Sequence, residues 1–237
     1  MNVASITGMW HRLTGGQPDP SRWLVGATAV LALAAVLTRS VWRIVRNAVT
    51  IAHEGGHGLV ALLSGRRLNG IRLHSDTSGL TVSRGKPHGV GMVLTAAAGY
   101  TAPPLLGLAG AALLAAGHIT ALLWGATALL LVMLVMIRNA YGVLTVVVTG
   151  ALFLLVSWLT DAQVQAAFAY LVVWFLLVGG ARPVTELQRG RRRERGGSSD
   201  ADQLARLTGT PAALWMLLFY AVALFSLIGG ARWLLVR

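Results

Sequence analysis

Thr50-Ile51-Ala52-His53-Glu54-Gly55-Gly56-His57-Gly58-Leu59-Val60 spells His-Glu-Gly-Gly-His inside an otherwise apolar segment. A helix puts residues i and i+4 on one face, so His53 and His57 would aim two imidazoles at one point. Two neutral imidazoles suit Zn2+. Glu54 sits one residue round, placed to take a proton from a water held there. The chain has three glutamates (Glu54, Glu186 and Glu194) and six histidines, and one of those glutamates falls between two of those histidines. An ionisable residue in a membrane helix costs about 2.5–3.5 kcal/mol on insertion scales, so its presence there points to function. A chance His-x-x-x-His on a polar helix face is the plainer account.

Composition supports a membrane setting. Of 237 residues 55% are hydrophobic and 12% charged, with a mean hydropathy of +0.66; a soluble domain carries about twice that share of charge. There is no cysteine. This excludes disulfides and thiolate ligands, so a metal site must use histidine and carboxylate. The net charge is +12, and Lys86 is the single lysine. Arginines between apolar spans set topology, which accounts for this balance better than nucleic-acid binding does.

Residues 1–22 form a polar N-terminal tail, residues 23–181 a membrane-embedded core, residues 182–210 a basic cytoplasmic loop and residues 211–237 a C-terminal transmembrane helix. Within the core, Trp23–Thr38 is expected to be a short uncleaved span. Ser40–Ser64 is the second span, with Arg39, Arg43 and Arg46 on one face of its first turns, where they can snorkel. Between Gly65 and Lys86, Ile71, Leu73, Leu80 and Val82 flank Asp76-Thr77-Ser78-Gly79, which predicts a short hairpin. His74, Asp76 and His88 have no standard ligand spacing and are taken as solvated loop residues. Gly89–Ile137 contains no charged residue and is long enough for two spans, turning at Gly117-His118. Pro103-Pro104 predicts a kink or break in the first of these, facing the site. Asn139–Thr160, Ala162–Ala181 and Thr208–Ala231 complete the set. The Arg182–Arg206 block is expected to be partly disordered at Gly196–Ser199, with a short helix starting at Ser199.

The fold expected is therefore an all-α polytopic membrane protein of six to seven transmembrane helices, with a short polar β-hairpin after the second. Seven spans with cytoplasmic basic loops place the N-terminus inside and the C-terminus outside. They leave Arg39–Arg46 outside, against the positive-inside rule; six spans plus an interfacial helix is the alternative. A catalytic zinc keeps three protein ligands and one water. For the third ligand Asp202 ranks first, Asp200 second and Asp161 third, because Asp200 and Asp202 can reach inward from the cytoplasmic side if their helix tucks into the bundle. Capping that helix is the plainer role for both.

A His-Glu-x-x-His in a membrane helix, a polar hairpin after it, the stretch Gly99-Tyr100-Thr101-Ala102-Pro103-Pro104 and a later span opening with Asn139 together resemble the site-2 protease family of intramembrane zinc metalloproteases. The whole chain resembles the compact bacterial branch without an inserted PDZ domain. The resemblance implies a zinc cofactor, Glu54 as general base, and His53 and His57 as ligands; the third ligand is then taken over by Asp202 or Asp200, or the metal is weakly held. It implies cleavage of single-pass membrane substrates, such as anti-sigma factors or remnant signal peptides, near the cytoplasmic face of the inner (plasma) membrane. No nucleic-acid partner is expected, since topology already accounts for the arginines. Asn139 matches the asparagine that opens the family's second motif. That motif continues Asn-x-x-Pro and then Leu-Asp-Gly, whose aspartate is the third ligand; here Gly142 and Val147 stand in place of the proline and the aspartate. The resemblance implies that the hairpin pairs with substrate by β-addition, and Ile71–Val82 is the candidate. Glycine-containing substrates would be favoured, since a helix must unwind before it is cut. Two other readings remain: an inactive relative that binds membrane segments, and a transporter, for which no inverted repeat is visible.

Overall fold

A computed structural model describes residues 15–193 and 199–236. Most of the N-terminal tail, and the 196–198 part of the stretch expected to be disordered, lie outside the described residues. Among those described are nine helices and two strands in the order α1 (Arg22–Leu37), α2 (Arg39–Leu63), β1 (Arg67–Leu73), β2 (Gly79–Arg84), α3 (Val90–Ala115), α4 (Ile119–Met136), α5 (Ala140–Leu159), α6 (Ala162–Gly179), α7 (Arg182–Arg193), α8 (Asp200–Thr208) and α9 (Ala212–Leu235).

Helices α3, α4, α5, α6 and α9 are long and apolar enough to cross a membrane. Helices α1 and α2 meet at Thr38 with a bend of 103° and pass the same test only as a pair, which gives five candidate crossings, or six with the bent pair counted as one. The chain is thus a polytopic all-α protein. Its lipid-facing side is plain on α4 and α5, where Leu131, Val132, Val135, Leu144, Val148 and Leu155 are exposed. Side chains of this kind cost nothing against hydrocarbon, and the helices keep their backbone bonds internal.

The bend at Thr38 resolves the placement of the first arginines. The backbone N–H of Gln17 donates to Gly117 O at 2.9 Å, and Asp19, Pro20 and Arg22 line one cavity with Tyr170, Leu234 and Leu235. The start of α1, the α3–α4 turn and the end of α9 therefore share one end of the bundle. The hairpin, the α4–α5 junction, α7 and α8 lie at the other. Because α1 crosses before α2 begins, Arg39, Arg43 and Arg46 fall at the basic end. There Trp42 Nε1 donates to Glu186 Oε1 at 2.8 Å, Arg46 pairs with Glu186 at 3.3 Å, and the Arg182 guanidinium lies 4.6 Å from the centre of the Trp42 ring. Gln17 and the end of α9 lie at one end, so the seven-span arrangement with termini on opposite sides gives way to the lower count, six with the bent α1–α2 pair as one.

Small residues let the helices close up around α3. A Cβ at Gly107 would meet Leu177 N at 2.9 Å, and one at Gly110 would meet Val173 Cγ2 at 2.7 Å. Of the kink or break expected at Pro103-Pro104, the break is not formed: α3 runs continuously through both prolines. Each proline still lacks an N–H, so the carbonyls of Gly99 and Tyr100 lose their helical partners. That loosened turn does face the site, because Gly99 lies against it.

The hairpin is antiparallel, with Ile71 opposite Thr81 and Leu73 opposite Gly79. Its turn is held by Asp76, whose Oδ1 accepts from Ser78 N at 2.9 Å and Ser78 Oγ at 2.7 Å. The outer edge of β1 is closed. Arg138 N donates to Ile71 O at 2.9 Å, while the Asn139 amide donates to Leu73 O at 2.7 Å and accepts from Leu73 N at 3.2 Å. Asn139 thereby supplies both bonds that a residue of a third strand would make.

Candidate metal centre

Helix α2 carries His53 and His57 to one point, as the i, i+4 spacing requires: their Nε2 atoms lie 3.1 Å apart. Asp200 Oδ2 completes a triangle at 3.2 Å from each. Carbonyl oxygens only accept, so His57 Nδ1, at 2.7 Å from Thr95 O, carries the ring proton and leaves Nε2 with its lone pair. The His53 ring is wedged edge-on against Tyr100, with centroids 4.8 Å apart, and Tyr100 in turn stacks on the buried Phe219 at 5.0 Å.

Asp200 reaches this point because α8 tucks into the bundle. Ala201 and Leu204 are fully buried and pack with Ala96, Val184, Ala212 and Phe219. Residue 200 lies one turn before Leu204 on the same face, whereas 202 and 206 lie off it.

The structure does not bring Asp202 to the imidazoles, and this corrects its first rank. Its Oδ2 accepts from Ser199 N at 3.2 Å and Ser199 Oγ at 2.5 Å, in a capping box that closes the start of α8. Its other oxygen pairs with Arg191. The pattern Ser199-x-x-Asp202 is itself a capping-box signature and would have assigned Asp202 to that role from sequence. Asp161 accepts from Gln163 N and Val164 N, both at 2.9 Å, as the cap of α6. His74 Nδ1 lies 3.2 Å from Ser78 Oγ in the hairpin turn. Among the described residues, His53, His57 and Asp200 are the one group of three able to hold a metal ion.

The three donor atoms fit zinc. Ligands at about 2.0–2.1 Å in a tetrahedron stand roughly 3.3 Å apart, close to the 3.1 and 3.2 Å found here. Asp200 Oδ2 is buried without a hydrogen-bond partner, as an oxygen destined for a cation would be. Gly99 keeps the space open: a Cβ at that position would strike both Nε2 atoms.

The sequence pattern of the Peptidase M50B-like family matches residues 26–230. The chain belongs to that family. It is thereby a member of the site-2 protease family, whose M50 peptidases are zinc enzymes. No curated protein and no solved structure matches it. Val147, which the sequence reading set against the family's second-motif aspartate, is 44% exposed on α5. The carboxylate that lies beside the imidazoles is that of Asp200, on α8.

Glu54, one residue round α2, is buried, and its Oε2 accepts a hydrogen bond from Thr81 Oγ1 at 2.6 Å. Sequence reasoning missed Thr81, Thr95, Gly99 and Tyr100 as site residues. Each matters through a partner on another element, and a single chain shows no local pattern for such pairs.

Proposed function

We propose that the protein is an intramembrane zinc metallopeptidase that hydrolyses peptide bonds of single-pass membrane proteins, anti-sigma factors and remnant signal peptides being the kinds of substrate meant. The observation that carries this reading is the convergence of His53 Nε2, His57 Nε2 and Asp200 Oδ2 beside the buried Glu54. His53, His57 and Asp200 would hold the zinc. Zinc, when bound, supplies Lewis-acid polarisation of a water and of the scissile carbonyl.

The protein's own groups do the rest. Thr95 fixes the tautomer of His57, and Tyr100 fixes the ring plane of His53. Glu54 takes the proton from the attacking water and returns it to the leaving amine. The extended substrate adds to β2, because the β1 edge is already filled by Arg138 and Asn139. Gly79 and Thr81 of β2 touch the Glu54 side chain, so a peptide paired there runs past the base. With the arginine-rich end cytoplasmic by the positive-inside rule, the cut falls near the inner face of the plasma membrane.

The test is zinc content together with cleavage of a panel of single-pass segments containing glycine, for wild type and Glu54→Gln. Wild type is expected to hold about one zinc and to cleave. Glu54→Gln should keep its zinc and lose about 10²–10⁴-fold in rate, the usual share of a general base. Zinc without cleavage in wild type would favour a relative that binds membrane segments uncut. Absence of zinc after resupply would overturn the enzyme reading.

A further inference from the structure

Glu54 has one side-chain donor among the described residues. Thr81 Oγ1 lies 2.6 Å from Glu54 Oε2 and 3.1 Å from the Glu54 backbone oxygen. A hydroxyl has one proton to give, and the shorter, charge-assisted bond to the carboxylate claims it. Among the described residues no hydrogen bond reaches Oε1. Instead it faces the bare backbone of Gly79, where a Cβ would approach it to 2.5 Å.

The hydroxyl is itself held in place. Thr81 stands opposite Ile71 in the sheet, and Ile71 is tied to Arg138 N. Thr50 Oγ1, on α2, donates to Thr77 O in the turn at 2.9 Å, a second tie between the catalytic helix and the hairpin. A glutamate side chain has three rotatable bonds, and without this contact the buried carboxylate would turn freely about the last of them.

We infer that Thr81 is a positioning residue for Glu54, its hydroxyl holding the carboxylate in one orientation by Oε2 and leaving Oε1 without a protein donor among the described residues. The inference rests on the peptidase reading above. The hairpin thereby acquires a second role. The strand that receives the substrate also sets the base, so a peptide paired out of register meets a misaligned carboxylate.

Thr81→Val keeps the shape of the side chain and removes the donor; Thr81→Ser restores it. The test uses the full-length protein with zinc bound and a membrane segment that wild type cleaves. Thr81→Val is expected to keep its zinc and KM within about twofold and to lose about 10–100-fold in kcat, the scale set by a small misplacement of a reacting group. Thr81→Ser should stay within about threefold of wild type. In a Glu54→Gln background Thr81→Val should add no further loss. Wild-type kcat in Thr81→Val would overturn the inference. So would a loss confined to KM or zinc content, or a Thr81→Ser variant no better than Thr81→Val, since each marks a merely structural contact. Absence of cleavage by wild type would instead bring down the peptidase reading itself.

Discussion

Gly99 sets the tolerance of the centre, because both imidazole Nε2 atoms lie where its side chain would be. Alanine in place of glycine inside a helix normally adds about 1 kcal/mol of stability. Here the clash with two pinned imidazoles outweighs that gain: Gly99→Ala is expected to lower stability by about 1–3 kcal/mol and zinc affinity at least about 10-fold, and calorimetry beside metal analysis checks both. The two aspartates of α8 separate by the same two measurements. Asp200→Ala should lose zinc; Asp202→Ala should keep it but weaken α8, by about 0.5–2 kcal/mol for a lost cap, visible as a lower midpoint of unfolding. Equal zinc in both variants would sink the assignment of Asp200. His53, Glu54 and His57 were legible because i, i+4 spacing is local geometry. Asp200 was not ranked first because two aspartates two residues apart look alike until the buried face of Ala201 and Leu204 is read. That face was present in the sequence as apolar spacing, and it points Asp200 inward.

The hairpin depends on a side chain that mimics backbone. Asn139→Ala removes the donor to Leu73 O and the acceptor for Leu73 N together. The expected cost is about 1–3 kcal/mol for the groups left unpaired, seen as faster hydrogen exchange at Leu73 with α2 unaffected. Unchanged exchange there would mean that the third-strand role is illusory. The hairpin itself was signalled by alternating Ile71, Leu73, Leu80 and Val82 about a turn sequence. The sealing of its β1 edge was not, since Asn139 follows Leu73 only after two membrane helices. The break expected at Pro103-Pro104 failed for a different reason. In a membrane a helix tolerates proline when neighbouring helices surround the freed carbonyls, and Pro104 lies against Gly180 while Pro103 is fully buried.

At the scale of the whole molecule the span count turned on one joint. Hydropathy alone sees Trp23–Thr38 and Ser40–Ser64 as two apolar runs; their 103° bend is what lets the pair count as one crossing. The absence of cysteine makes the resulting topology easy to test with single cysteines and a membrane-impermeant maleimide on intact cells. Ala116→Cys and Ala162→Cys should label from outside, whereas Ser75→Cys and Lys86→Cys should label only after the membrane is opened. Labelling of Ser75→Cys in intact cells would reverse the orientation. Loss of the Trp42–Glu186–Arg46 contacts should loosen the joint between α2 and α7: Glu186→Ala, which leaves Arg46 short of its partner and the Trp42 N–H unbonded, is expected to cost about 1–3 kcal/mol, measured by denaturant unfolding in detergent.

The distance along the chain between His57 and Asp200 sets a clock. Synthesis at about 5–20 residues per second delivers the two histidines to the membrane roughly 7–30 s before the carboxylate that joins them. During that interval the nascent protein has its base and its imidazoles but an incomplete grip on the ion. On the peptidase reading proposed above, assembly of the centre is one of the last acts of biogenesis, completed when α8 docks, and a ribosome-bound intermediate would not yet cleave the membrane proteins inserting beside it.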